Sequence, residues 1–153
     1  MKKKIVTVTT LIITVYIVTA LMLATAIIYF LAASESYSEI SQLTSQSSID
    51  KADIMRTTNE MLFFTIVGIA YILVGFWIVK RKYRSKVPYI VAIAGSAALI
   101  VFYIATRTIS LPNIGLEAEI GITDTVAKVL QGLIIAGSLF ILGSSKRFAT
   151  INK

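Results

Sequence analysis

Four stretches of this sequence are too long and too apolar to form the core of a water-soluble domain. They cover about residues 5–33, 61–79, 87–106 and 126–143, and their central portions contain no Asp, Glu, Lys or Arg. A helix that crosses a bilayer needs roughly 20 apolar residues, because the hydrocarbon core is ~30 Å thick and each residue adds ~1.5 Å. The sequence therefore predicts a single transmembrane domain with four spans.

The first stretch follows the basic residues Lys2–Lys4 and could be confused with a secretory signal. Ala24-Thr25-Ala26 has the small-x-small form of a cleavage site. A signal has an apolar core of only ~7–15 residues, whereas this stretch has 29. We therefore expect a retained transmembrane helix, with cleavage as the alternative.

Basic and acidic residues lie on opposite sides of the predicted spans. The two chain ends and residues 80–86 carry eleven of the 15 basic residues and none of the eight acidic ones. Cytoplasmic segments of membrane proteins are enriched in Lys and Arg. The pattern predicts an all-α, up-down-up-down four-helix bundle in the cell membrane with both termini cytoplasmic. The net charge of +7 does not indicate a nucleic-acid partner, because no polar face could follow phosphates.

The two predicted outer connections differ in character. Residues 34–60 are rich in serine but contain no Gly or Pro, and Tyr37, Ile40 and Leu43 recur at helical spacing. We expect the first two helices to continue as an antiparallel hairpin that turns near residues 46–48, with a flexible loop as the alternative. Residues 107–125 contain Pro112 and many apolar side chains, and we expect them to lie against the bundle or the membrane surface.

The chain contains no cysteine and no histidine. This excludes disulfides, thiolate chemistry, histidine-containing metal sites and a histidine general base. Oxygen and thioether groups at Asp50, Asp53, Met55, Glu60 and Met61 are better explained as a solvated helix face. We therefore expect no catalytic residue, no cofactor and no metal site, and hence a protein that is not an enzyme.

A small group of polar residues near the third and fourth spans is the candidate functional site. Arg107 is placed to pair with Glu117, Glu119 or Asp124 and to clamp the connecting loop over the bundle; binding of an anionic ligand or docking of a partner are the alternatives. Lys128 either extends its amine to the outer interface or pairs with Glu117, with Glu119 or with a carboxylate of another subunit.

Small residues at helical spacing indicate close helix contacts. Such contacts either pack the bundle or join it to a protein partner or a second copy of the chain. The residues concerned are Gly68, Gly75, Ala94, Ala98, Gly132 and Ala136.

The segment Thr106-Arg107-Thr108-Ile109-Ser110-Leu111-Pro112, followed by Gly115-Leu116-Glu117, Gly121, Asp124 and Lys128-Val129-Leu130-Gln131, resembles a motif of a known group. The group comprises small four-span membrane proteins of actinobacteria and ammonia-oxidising archaea, with (Ser/Thr)-Arg-Thr-x-Gly-Leu-Pro after the third helix. Ser110 replaces the usual Gly. The resemblance implies relatedness but no reaction. A looser similarity implies an accessory subunit of a membrane complex such as archaeal ammonia monooxygenase.

Two hypotheses about function follow. The first is a non-catalytic structural or accessory subunit of a membrane assembly, since the spans lack ionisable groups at their centres. The second is a transporter or channel for an uncharged or lipid-like solute. It predicts a continuous cavity lined by Thr or Ser of the first helix and by residues of the fourth.

Overall fold

The computed structural model describes residues 2–45, 51–108 and 122–151, which form four long helices and one short 3-10 turn. These described segments contain no β-strand, so the prediction of an all-α fold is confirmed. Four helices among them are long and apolar enough to cross a bilayer, as expected of a multi-pass membrane protein. The elements are α1 (Lys2–Ser45), α2 (Lys51–Arg81), the 3-10 turn (Lys82–Arg84), α3 (Val87–Thr108) and α4 (Ile122–Ile151).

The helices extend beyond the apolar stretches that predict them. Because α1 continues to Ser45 and α2 begins at Lys51, residues 34–45 and 51–60 are helical and do not form a flexible serine-rich loop. The expected turn lies outside the described residues, as does the segment 109–121. Helix α4 begins at Ile122 rather than near residue 126, so that Asp124 lies within its first turn.

The buried face of each helix repeats in steps of three and four residues. This is the heptad spacing of helices that pack nearly side by side. Although these helices are apolar on nearly all sides, each of them buries only one face in the interior of the bundle. In α4 the buried positions are Ala127, Gln131, Ile134, Ser138 and Ile141, and in α2 they include Gly68, Tyr71, Gly75 and Ile78.

Helix α1 is the centre of the packing. It packs extensively against α2 and α4, and α3 packs against α4, whereas α2 and α3 contact each other only lightly. The fully buried side chains Val15, Val18 and Met22 of α1 belong to the main apolar core. The helices therefore pack as neighbours in the order α2, α1, α4 and α3, and the contact between α2 and α3 is the lightest.

Threonines in α1 are accommodated by its own backbone. Thr14, Thr19 and Thr25 each donate to the carbonyl oxygen four residues earlier, at 2.8–2.9 Å. This bond satisfies the hydroxyl group without a partner from another helix.

A buried tyrosine side chain stabilises the connection between α2 and α3. Lys82, immediately after α2, has φ 47°, a left-handed conformation that costs roughly 1–2 kcal/mol for residues other than Gly. The buried Tyr89 of α3 donates its hydroxyl to the carbonyl oxygen of Lys82 at 2.8 Å. This bond ties the start of α3 to the end of α2.

Candidate functional site

One buried polar side chain from each helix contributes to a layer inside the bundle. The polar layer consists of Tyr29 of α1, Tyr71 of α2, Ser96 of α3 and Gln131 of α4, each of them buried. The Gln131 amide nitrogen lies 2.8 Å from the Tyr29 hydroxyl, and the Tyr71 and Ser96 hydroxyls are 2.9 Å apart. The rings of Tyr29 and Tyr71 stack with centroids 6.0 Å apart. Direct contacts therefore join all four helices at one level.

The bond between Tyr29 and Gln131 leaves part of the amide without a partner. The Gln131 Oε1 atom is buried and accepts no hydrogen bond from the described residues. If the amide is rotated by half a turn, Tyr29 donates to the oxygen and the NH₂ group takes the unpaired place, because oxygen and nitrogen are exchanged. In either orientation one end of this buried amide finds no hydrogen-bond partner within the described part of the chain, which is costly in a low-dielectric interior.

A charged cluster lies next to the polar layer. It consists of Tyr103 and Arg107 near the end of α3 and Asp124 and Lys128 near the start of α4. Arg107 Nη2 donates to Asp124 Oδ2 at 2.7 Å, and the guanidinium carbon lies 4.4 Å from the Tyr103 ring centroid. The Lys128 amine lies 4.8 Å from the same centroid. The Tyr103 ring thus contacts two cations, and the Asp124 carboxylate offsets their mutual repulsion.

Lys128 links the charged cluster to the polar layer. Its amine lies 3.5 Å from the Tyr29 hydroxyl, which also bonds to Gln131. The long side chain is half-buried and directed at two aromatic rings. In this structure the Lys128 amine is directed toward these rings, and its extension to the membrane interface stays a prediction. Cation–π contacts stabilise its ammonium group within the bundle.

The ion pair is well placed on its two helices. Arg107 lies in the last turn of α3 and Asp124 in the first turn of α4. A cation is favourable at a helix C-terminus and an anion at an N-terminus. The Arg107 side chain is 13% exposed and the Asp124 side chain 39% exposed, so water screens this pair somewhat less than a pair of two fully exposed side chains.

The sequence-predicted residues are only partly brought together. Arg107, Asp124 and Lys128 are neighbours, whereas Glu117 and Glu119 lie outside the described residues. Sequence reasoning missed Tyr29, Tyr71 and Ser96 as members of a site. These three residues lie at buried positions of the heptad spacing. That pattern could have pointed to them only if the inward face of each helix had been known.

The six small residues expected at helix contacts separate into two groups. Gly68 and Gly75 are buried between α2 and α1: a Cβ atom at Gly68 would lie 3.1 Å from the Phe30 ring, and one at Gly75 3.6 Å from Met22. Both glycines therefore serve a contact within the chain and leave no surface there for a partner. The other four, Ala94, Ala98, Gly132 and Ala136, are exposed.

These side chains interact through hydrogen bonds, an ion pair and cation–π attraction. Among the described residues, no group of three or more His, Cys, Asp or Glu could hold a metal ion. The layer and the cluster together fix the relative positions of the four helices from the interior of the bundle to the ends of α3 and α4.

No protein-family model, no curated protein and no solved structure matches this chain. Of the motif that carries the resemblance to small four-span proteins, the structure describes Thr106, Arg107, Thr108 and residues from Ile122 onward. The resemblance stays a prediction.

The first prediction concerns the Tyr29–Gln131 bond. Tyr29→Phe and Gln131→Leu should each lower the free energy of unfolding, because each leaves the other buried polar group without its partner. The double variant should lose less free energy of unfolding than the sum of the two single losses. We expect a coupling free energy of about 1 kcal/mol, in the range of interhelical hydrogen bonds in membrane proteins. Unfolding in detergent micelles measures it, and Tyr16→Phe on the exposed side of α1 is the control. Strictly additive losses would contradict the bond.

The second prediction concerns the Arg107–Asp124 pair. Arg107→Ala should lower the free energy of unfolding by about 1–3 kcal/mol, since it leaves a partly buried carboxylate without its donor. It should also make residues 109–121 more sensitive to protease. Arg56→Ala is the matched control, because Arg56 pairs with Glu60 at 3.2 Å on an exposed face of α2. Such surface pairs contribute about 0.3–0.5 kcal/mol. Equal losses in both variants would argue against a structural clamp.

Proposed function

We propose that this chain is a non-catalytic structural or accessory subunit of a membrane assembly. In this proposal it acts through helix contacts made by its outer surface. The observation that carries the proposal is the exposed face of α4, which has the spacing and the residue sizes of a second helix-packing face.

The exposed face of α4 repeats the spacing of its buried face. The outer seam consists of Val129, Gly132, Ala136, Leu139 and Gly143, all exposed and separated by steps of three and four. These steps place the outer seam on the side of α4 opposite the buried positions. A Cβ atom at Gly132 or at Gly143 would meet nothing within 4 Å, so neither glycine is needed for packing within this chain.

Glycine in the middle of a helix costs ~1 kcal/mol relative to alanine. A lipid-facing position gains nothing from it, because lipid chains adapt to larger side chains. Glycine does strengthen the contact with another transmembrane helix, because small residues let two helix backbones approach closely. The two glycines and the alanine of the outer seam therefore favour a protein partner over lipid as the neighbour of α4.

The interior supports the same proposal. The contacts of the polar layer and the charged cluster tie all four helices together, which suits a rigid component with a constant outer surface. The transport alternative predicts a cavity lined by hydroxyl groups of α1 and by residues of α4. A cavity among the described residues is lined instead by α2, α3 and Met22 of α1, which is not the lining that the transport alternative predicts.

We also propose the up-down-up-down arrangement with both termini in the cytoplasm. Residue contacts run in opposite order on neighbouring helices: Gly68 meets Phe30 while Gly75 meets Met22. Lys80, Arg81, Lys82, Arg84 and Lys86 surround the α2–α3 connection, which the charge bias of membrane proteins favours on the cytoplasmic side.

The third prediction tests this orientation. Because the chain has no cysteine, a single introduced cysteine is a unique label. In intact cells a membrane-impermeant maleimide should label Glu39→Cys but label Lys86→Cys only after permeabilisation; both positions are exposed. Labelling of both variants from the same side would overturn the arrangement.

The fourth prediction tests the assembly. Extracted from its native membrane in mild detergent, the wild-type chain should migrate as a complex larger than a monomer, and Gly132→Leu should release it as a monomer. Ala20→Leu on α1 is the control, because Ala20 is also small and exposed but lies on a different helix from the outer seam. A wild-type chain that is monomeric under these conditions would refute the proposal. So would a complex that survives Gly132→Leu.

A further inference from the structure

The connection between α2 and α3 carries a dense group of positive charges. No acidic residue occurs in the sequence between Glu60 and Glu117, so neither the connection nor the helix ends beside it contain a carboxylate. The basic turn is defined by five exposed side chains: Lys80, Arg81, Lys82, Arg84 and Lys86.

The carboxylates of the described residues lie too far away to neutralise the basic turn. Glu60 and Lys80 belong to the same continuous helix and are ~30 Å apart along its axis. Asp124 pairs with Arg107 near the end of α3, which is also ~30 Å from the start of that helix. The screening length in physiological salt is only ~8 Å. Among the described residues, therefore, no carboxylate balances these five charges.

The acidic residues of α1 do not approach the basic turn either. Helix α1 meets Gly68 of α2 through Phe30 and meets Gly75 through Met22. Its acidic residues follow Phe30 in the sequence, so they lie toward the start of α2 and away from its end. The counter-charge for the basic turn must then come from a group that approaches the described bundle from outside.

The apolar surface on both sides of the basic turn places it at the level of the lipid headgroups. Trp77 is exposed one helical turn before Lys80, and Val87, the first residue of α3, is also exposed. Tryptophan is enriched where the hydrocarbon meets the headgroups, and the headgroup layer is only roughly 5–8 Å deep on each side. Residues 82–86 alone connect the two helices, so the turn stays close to this layer. Lipid phosphates are the anions found at this depth.

Hydrogen bonds stabilise the shape of the basic turn. The buried Tyr89 donates its hydroxyl to the carbonyl oxygen of Lys82 at 2.8 Å. The backbone N–H of Val87 donates to the Ser85 hydroxyl at 3.4 Å. A turn that is already ordered loses less conformational entropy on binding than a flexible loop does.

We propose that the basic turn binds the headgroup phosphates of anionic lipids in the adjoining leaflet and collects these lipids around the ends of α2 and α3. Clusters of about four to eight Lys and Arg beside a transmembrane helix attract such lipids. Nucleic acids and acidic proteins reach the turn only from water, whereas lipid phosphates are already at its depth.

This proposal goes beyond the charge bias that orients a membrane protein, because it assigns to the folded chain a lasting preference for one class of lipid. It uses neither the outer seam of α4 nor the orientation of the chain. It therefore does not depend on the proposed subunit role.

The fifth prediction uses Trp77, the single tryptophan of the chain, as the probe. The purified protein is placed in phosphatidylcholine vesicles with a minor fraction of lipid that is brominated near the headgroup end of its acyl chains. In one sample this lipid is phosphatidylglycerol, and in the other it is phosphatidylcholine. Bromine quenches tryptophan fluorescence on contact, so the two samples compare the lipids beside Trp77.

Quenching should show about fivefold enrichment of phosphatidylglycerol beside Trp77. This factor is equivalent to the ~1 kcal/mol that one Lys or Arg contributes near an anionic surface. Raising the salt concentration to about 0.5 M should remove most of the enrichment, because the screening length becomes shorter.

Two matched double variants locate the effect. Arg84→Gln with Lys86→Gln should lower the enrichment to about twofold, because it removes two of the five charges. Lys51→Gln with Arg56→Gln is the control, since it removes two exposed positive charges at the far end of α2, more than ~30 Å from Trp77. The control should leave the enrichment unchanged. The thermal midpoint of each variant checks that the fold is retained.

Each contrary result has a distinct meaning. Equal quenching by the two lipids in the wild type at low salt would overturn the proposal without any variant. Equal reductions in both double variants would show that the basic turn is not the site. If inorganic phosphate abolishes the enrichment more effectively than chloride at the same ionic strength, the ligand is a free phosphate ion and not a lipid. Gly132→Leu should keep the enrichment even if it loses the native assembly, so the two proposals can fail separately.

Discussion

Hydrogen bonding in a low-dielectric interior is the constraint on which this bundle depends. Hydrocarbon offers no partner for a polar group, so every amide and hydroxyl must find one within the protein or remain unsatisfied at a cost. Backbone groups are satisfied within each helix, and threonines such as Thr19 and Thr25 bond back to it. Gln131 cannot be satisfied in this way, and its bond to Tyr29 joins α4 to α1. A single amide thereby restricts the register of two helices.

Apolar packing alone specifies the relative register of these four helices only weakly, so polar contacts are needed to determine it. The helices are apolar on nearly all faces, and the dispersion gained against lipid is similar for many rotations and offsets. Tyr29, Tyr71, Ser96 and Gln131 lie at heptad positions and meet only in one alignment. The Arg107–Asp124 pair adds a second fixed point at the ends of α3 and α4. Two polar contacts separated along the bundle fix both offset and rotation, as polar core residues do in coiled coils.

The spans and the helical extension to Ser45 follow from sequence because hydropathy and the lack of Gly and Pro are local properties. The candidate site follows only in part. Arg107 and Asp124 are 17 residues apart and joined by one short connection, so their pairing could be anticipated. Tyr29 and Gln131 are 102 residues apart, and their contact depends on helix order and rotation. The inward direction of Lys128 depends likewise on the rings of Tyr29 and Tyr103.

The small residues illustrate the difference between composition and context. Gly75 lies against Met22, whereas a side chain at Gly95 or Gly132 would meet nothing within the chain. Each carries the same conformational cost of ~1 kcal/mol, and only for Gly75 does a contact in this structure offset it. The unmet cost at Gly95 and Gly132 therefore indicates neighbours outside the chain. Gly95 borders the cavity between α2 and α3, and Gly132 lies on a regular seam whose small residues suit a second helix.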